Sequence, residues 1–192
     1  MKKLHPILLM FTLLVSSVAF ASEKAAQDPV KVIQSTIVKL NQLTAATTYS
    51  PQIMVFLVDQ EISPLFDFEH IAASVLSASR INIGTEDANF FTNLLRKNII
   101  KNLLAKLSQG RGNSFSFVSA RPTAYGDILV KLNAKGYSRY GLDLDLHFHK
   151  NQSGKWQIFD VALGRDSLID YYKKIVQIKV RRYGVYGMLG SI

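Results

Sequence analysis

The chain of 192 residues contains no cysteine, and only five prolines and one tryptophan. Without sulfur there is no disulfide, no thiolate metal centre and no thiol nucleophile. A core of this size needs no covalent staple, so the absence fits an oxidising compartment as well as a reducing one. Charged residues make up only 19% of the chain while hydrophobic ones make up 48%, which rules out a disordered tail protein. No phosphate-cradling glycine loop, no Gly-x-Ser-x-Gly and no His-Glu-x-x-His is present. No cofactor or metal is expected on these grounds.

The first apolar run is short. Met1-Lys2-Lys3 precedes a stretch from Ile7 to Val18 rich in Leu, Ile, Met, Phe and Val, and Ala19-Phe20-Ala21 follows. A positive start, an apolar stretch below the ~20 residues needed to span a bilayer, and small residues at the cleavage positions describe a secretory signal peptide. Residues 1–21 are therefore expected to be removed, leaving residues 22–192 as one exported, soluble domain. Without Lys2 and Lys3 the chain has 21 basic against 14 acidic residues, a net charge of +7. That charge favours anionic protein faces or lipid headgroups over nucleic acid, which an exported protein seldom meets.

Periodicity divides the remainder in two. Asp28-Pro29, Ser50-Pro51, Asp67 and Thr85 read as starts of helices. Their apolar stripes are Val30, Ile33, Ile37 and Leu40; then Ile53, Phe56 and Leu57; then Phe68, Ile71, Ala72, Val75 and Ser79. The longest helix carries Phe91, Leu95, Ile99, Leu103 and Leu107 at four-residue steps, flanked by Phe90, Leu94, Ile100 and Leu104, and a broad buried face is expected. After Gly110-Arg111-Gly112-Asn113 the period becomes two. Phe115, Phe117 and Ser119 form one alternating set, Ile128, Val130 and Leu132 a second, and Tyr140, Leu142, Leu144, Leu146 and Phe148 a third. Asn151–Gly154 turns into Lys155–Val161, and a capping box at Ser167–Asp170 opens a last helix to about Tyr183. The fold predicted is α+β: N-terminal helices and a C-terminal helix packed on one face of a twisted antiparallel sheet of about four strands.

Two sets of polar residues carry possible chemistry. Asp143, Asp145, His147 and His149 share the other face of the third strand, where carboxylates and imidazoles could bind a divalent metal or act as an acid–base pair. The wet face of an antiparallel sheet accounts for the same alternation. Ser167 with Asp160, Asp166 and the histidines could be drawn as a triad, but capping accounts for Ser167 more simply. Lys173, Lys174, Lys179, Arg181 and Arg182 form a basic face on the last helix, either solvated or docking acidic groups.

Two stretches resemble the MlaC family of auxiliary transport proteins, also called the toluene-tolerance or Tgt2 type. The first is Asp67-Phe68-Glu69-His70-Ile71-Ala72-Ala73-Ser74-Val75-Leu76, continuing to Phe91 and Leu95. The second is Trp156-Gln157-Ile158-Phe159-Asp160-Val161, followed by Ser167-Leu168-Ile169 and Tyr172-Lys173. Ser77, Arg80 and Gly164-Arg165-Asp166 depart from the family pattern.

The resemblance implies an NTF2-like cone and a monomeric periplasmic phospholipid carrier rather than an enzyme. Its implied partners are an inner-membrane ABC transporter with an MlaD-like subunit and an outer-membrane MlaA-like lipoprotein with a porin. The resemblance further implies that such shuttling maintains outer-membrane lipid asymmetry. On that reading Val75, Phe91, Leu95, Phe117, Ile128, Val130, Tyr140, Leu142, Leu144, Leu146, Ile158 and Tyr172 are expected to line an apolar cavity between sheet and helices. The basic residues of the last helix are expected to dock partners. The rival expectation is a periplasmic enzyme on the same cone, using the Asp and His residues of the third strand.

Overall fold

The computed structural model describes residues 28–45, 51–108, 114–136 and 138–192. The expected signal peptide, Ser50 and the turn at Gly110–Asn113 lie outside the described residues. Helix α1 (Pro29–Ala45) is followed by α2 (Pro51–Leu57), which runs on through a π-helical turn (Val58–Ile62) and a 3-10 turn (Ser63–Leu65). Helices α3 (Phe68–Ala78) and α4 (Thr85–Ser108) complete the helical half. Strands β1 (Ser114–Pro122), β2 (Ile128–Lys135), β3 (Leu142–Lys150), β4 (Trp156–Leu163) and the two-residue β5 (Asp166–Ser167) precede helix α5 (Leu168–Leu189). The order β1-β2-β3-β4-β5 is an antiparallel meander, the α+β arrangement read from the alternation, with one very short strand added.

Local chemistry explains the starts of the elements. Asp28 Oδ1 accepts from the Val30 N–H at 3.0 Å, and Asp67 Oδ1 from the His70 N–H at 2.9 Å, so both act as caps. Thr85 is instead the first residue of α4, with the Gly84 carbonyl accepting from the Ala88 N–H at 2.9 Å. Asn151 Oδ1 accepts from the Ser153 and Lys155 N–H groups at 3.0 and 2.9 Å, and Gly154 takes the positive φ that closes this hairpin.

The buried stripes differ from the predicted ones at several helices. In α1 they are Ile33, Thr36, Leu40, Leu43 and Thr44, while Val30 is exposed. Along α2 and its π turn the buried line is Met54, Val58 and Ile62, and Ile53 and Phe56 face outward. These three fall four apart across the junction, so a stripe confined to α2 misses the line. In α4, Phe91, Leu95 and Ile99 are buried but Phe90 is exposed, so the buried face is narrower than expected. Helix α5 extends past Tyr183 to Leu189 through a non-helical Gly184 at φ 70°.

One face of the sheet joins the core. Val130, Leu132 and Ala134 of β2, Leu144, Leu146 and Phe148 of β3, and Ile158 of β4 are buried with the inner sides of the helices. Along β1 the alternation breaks: Phe117 pairs with Leu132 but Ser119 pairs with Lys131, a bulge at Val118. Phe117, Ala120 and Pro122 pair with Leu132, Val130 and Ile128, and directly paired residues share a face. Only Phe115 of β1 is buried, so the inner face beside the rest of this edge strand is uncovered.

Candidate functional site

The expected cavity residues converge on one interior. Val75 and Ile158 meet Phe91, Leu95, Val130, Leu144, Leu146 and Tyr172 in a single buried cluster, with Ile128 and Leu142 half-buried against it. Tyr172 from α5 accepts a hydrogen bond from Asn102 Nδ2 of α4 at 3.2 Å, and burial raises its phenol to about 12. Two of the named residues stand elsewhere. Phe117 is 54% exposed on the uncovered end of the inner face. Tyr140 is 87% exposed and precedes β3. Gly141, at φ 81°, turns the chain between Tyr140 and the first strand residue Leu142, so Tyr140 does not continue the strand's alternation.

A cleft of about 990 Å³ lies away from these apolar residues. Its walls include Phe66–His70, Arg96 of α4, and His149–Ser153 at the end of β3 and its turn. Sequence separation hid this grouping. The backbone of Asp67 donates to the Ile158 carbonyl at 2.9 Å, which fastens the start of α3 against β4. From there Asp67 Oδ2 lies 3.0 Å from Nε2 of His149 while its other oxygen caps α3. The His70 ring sits 4.3 Å, centroid to centroid, from that of His149, and both pack on Phe159 at 5.4 and 5.1 Å. Burial and the adjacent His149 lower the pKa of His70, against the opposing pull of Asp67 and Asp127. The geometry is that of a clasp joining α3 to β3.

The other polar residues of β3 separate from the apolar interior. Asp143 and Asp145 each lie 3.8 Å from Lys131 Nζ, and His147 packs edge-on against Phe159 at 5.9 Å. Leu144 and Leu146, not these groups, point into the core. Among the described residues no cluster of three or more His, Asp or Glu is arranged to hold a metal ion. Ser167 Oγ donates to Asp160 Oδ2 at 2.6 Å and accepts from the Asp170 N–H at 3.3 Å, which is a cap and an anchor.

The basic residues of α5 divide by exposure. Lys173 and Lys179 are half-buried, the first 3.2 Å from Asp170 and the second over the ring of Tyr183 at 5.7 Å. Lys174, Arg181 and Arg182 are exposed.

No helix among the described residues is long and apolar enough to cross a membrane. No curated protein sequence is significantly similar to the chain. Its fold is similar to that of a phospholipid-binding protein from Ralstonia solanacearum, solved in complex with a phospholipid. That match has a TM-score of 0.67 at 20% identity, covering 86% of this chain and 93% of the other. The family model described as MlaC protein matches residues 30–192, across every element from α1 to α5. The chain belongs to the MlaC family.

Proposed function

We propose that the protein is a soluble periplasmic carrier of phospholipid whose acyl chains lodge between the inner face of the sheet and the helices. The observation that carries this reading is the family match across residues 30–192. Further support comes from the largely apolar cluster between sheet and helices, and from the phospholipid bound by the structurally similar Ralstonia protein.

The physical requirement is simple. A phospholipid with about 30 methylenes gains on the order of 0.8 kcal/mol for each one removed from water, about 24 kcal/mol in all. A free lipid therefore does not cross an aqueous gap unaided. A carrier replaces that burial, and the lipid is handed on for the small difference between two apolar surroundings. The tails need roughly 800 Å³, within the range of ligand cavities. Val75, Phe91, Leu95, Ile128, Val130, Leu142, Leu144, Leu146, Ile158 and Tyr172 supply the walls in this proposal. These side chains form one contiguous cluster, so the helix layer must draw back from the sheet to admit tails. Phe117, exposed where β1 is uncovered, marks the mouth.

On this reading the protein shuttles lipid between an outer-membrane MlaA-like lipoprotein with its porin and an MlaD-like subunit of an inner-membrane ABC transporter, and so maintains outer-membrane asymmetry. Mass spectrometry of lipid released from gently purified, denatured protein tests the central point. Stoichiometric phospholipid is the expected result. Protein that carries none, and takes up none from vesicles, overturns the reading.

A further inference from the structure

The exposed side of α5 has a composition that core packing does not require. Tyr171, Lys174, Ile178 and Arg181 follow one another at three- and four-residue steps and Arg182 lies four past Ile178, so at 100° per residue the five share a face about 100° wide. Ile169, Tyr172 and Val176 are the buried residues on the opposite side. Tyr171 is 52% and Ile178 58% exposed, and Tyr186, beyond the break at Gly184, is 79% exposed. The charges are of one sign. Asp170, the helix's single acid, already pairs with Lys173, and among the described residues no carboxylate lies within ion-pair distance of Lys174, Arg181 or Arg182. A solvated helix face ordinarily mixes signs and leaves few large apolar side chains in water. This one interleaves cations with Tyr171 and Ile178.

We infer that this face docks on membrane surfaces rich in anionic phospholipid. Lysine and arginine gain from the negative surface potential, tyrosine rings settle at the depth of the headgroups, and Ile178 reaches the acyl boundary. Past the break, Val185 and Tyr186 border a groove of about 490 Å³ with Asn82, Ile83 and Gly84. The match is one of charge complementarity, and the apolar members favour a lipid surface over an acidic peptide, which would satisfy the cations alone. Docking is a property of the outside of the protein and does not rest on what its interior holds.

Sedimentation with vesicles tests the assignment, using the chain from Ser22 onward, which holds every described residue. Vesicles of phosphatidylglycerol with phosphatidylethanolamine are compared with vesicles of phosphatidylcholine alone. Binding to the anionic vesicles only, weakening as salt rises, is expected. Replacing Lys174, Arg181 and Arg182 together by glutamine should lower the affinity about a hundredfold, near fivefold for each charge. Ile178→Ser should lower it further without changing its salt dependence. Circular dichroism verifies that the variants are folded, and lipid extracted from them reports the interior separately. Anionic vesicles that fail to bind the native chain, as expected if an acidic protein is the partner, overturn the inference. Binding that survives the triple replacement undiminished overturns it as well.

Discussion

Asp160 and Ser167 meet at 2.6 Å, carboxylate to hydroxyl, and this contact secures the last helix to the sheet. Asp160 is buried, and its other oxygen accepts from the N–H groups of Val161 at 2.9 Å and Ile169 at 3.1 Å. Ser167 in turn caps α5 through the Asp170 N–H. Asp160→Ala removes the acceptor and leaves buried donors unpaired, which should destabilise the fold by about 3 kcal/mol. Ser167→Ala should cost about 1 kcal/mol. The two losses should not add, because they share a hydrogen bond. Urea unfolding of the single and double variants measures the coupling, and strict additivity would show that the contact contributes nothing.

The histidine clasp makes stability depend on pH. His70 is held below its ordinary 6.5 by burial and by His149. As pH falls the unfolded chain therefore takes up this proton before the folded one does. Stability from this group is fully present above about 6.5 and is lost as pH drops through the depressed folded value. The urea midpoint should fall between pH 7 and pH 5, and His70→Asn should flatten part of that slope. An unchanged slope in the variant would remove His70 as its source.

The sheet is also tied at its other end. Asn41 of α1 donates to the Phe115 carbonyl at 2.9 Å and accepts from the Phe115 N–H at 2.7 Å, so one side chain satisfies a full residue of the edge strand. Drawing the helices back from β1 to admit lipid would have to break this pair of hydrogen bonds. Asn41→Ala should cost about 1–3 kcal/mol of stability. It should also quicken lipid exchange between the protein and labelled vesicles, measured by fluorescence. Exchange that slows or stays constant would place the opening elsewhere.

These three ties were unequally legible in the sequence. Ser167 and Asp67 could be read as caps because a cap acts on backbone two or three residues away. Leu144, Leu146 and Phe148 could be read as one buried face because alternation over a straight strand is a local property. Tyr140 misled for the same reason: a turn at Gly141 interrupts the period that seemed to include it. Phe117 keeps its phase opposite Leu132, but it lies on a stretch of the edge strand that the helices leave uncovered, which alternation does not report. The partnership of Asp67 with His149 spans 82 residues and that of Asn41 with Phe115 spans 74. No periodicity encodes such pairs. Whether facing apolar walls enclose room is also beyond periodicity, because a filled core and a ligand site use the same side chains.

The walls and the mouth of the proposed site can be separated by mutation. Leu144 is buried beneath the helices, so Leu144→Arg should cost roughly 3 kcal/mol or more by placing an unpaired charge in the core. Loss of lipid from that variant alone would be hard to tell from loss of fold. Leu142 is half-buried, and Leu142→Asp should retain the fold with a smaller penalty while lowering bound phospholipid. Phe117 gives the cleanest comparison. Its ring is mostly in water already, so Phe117→Asp should move the midpoint of thermal unfolding by only a few degrees, on the order of 0.5 kcal/mol. At the mouth it would place a carboxylate where acyl chains must pass and where an anionic headgroup must rest. Bound phospholipid, counted by mass spectrometry, should therefore fall several-fold in a protein of native stability. Full lipid occupancy in both Leu142→Asp and Phe117→Asp would move the site away from this end of the sheet.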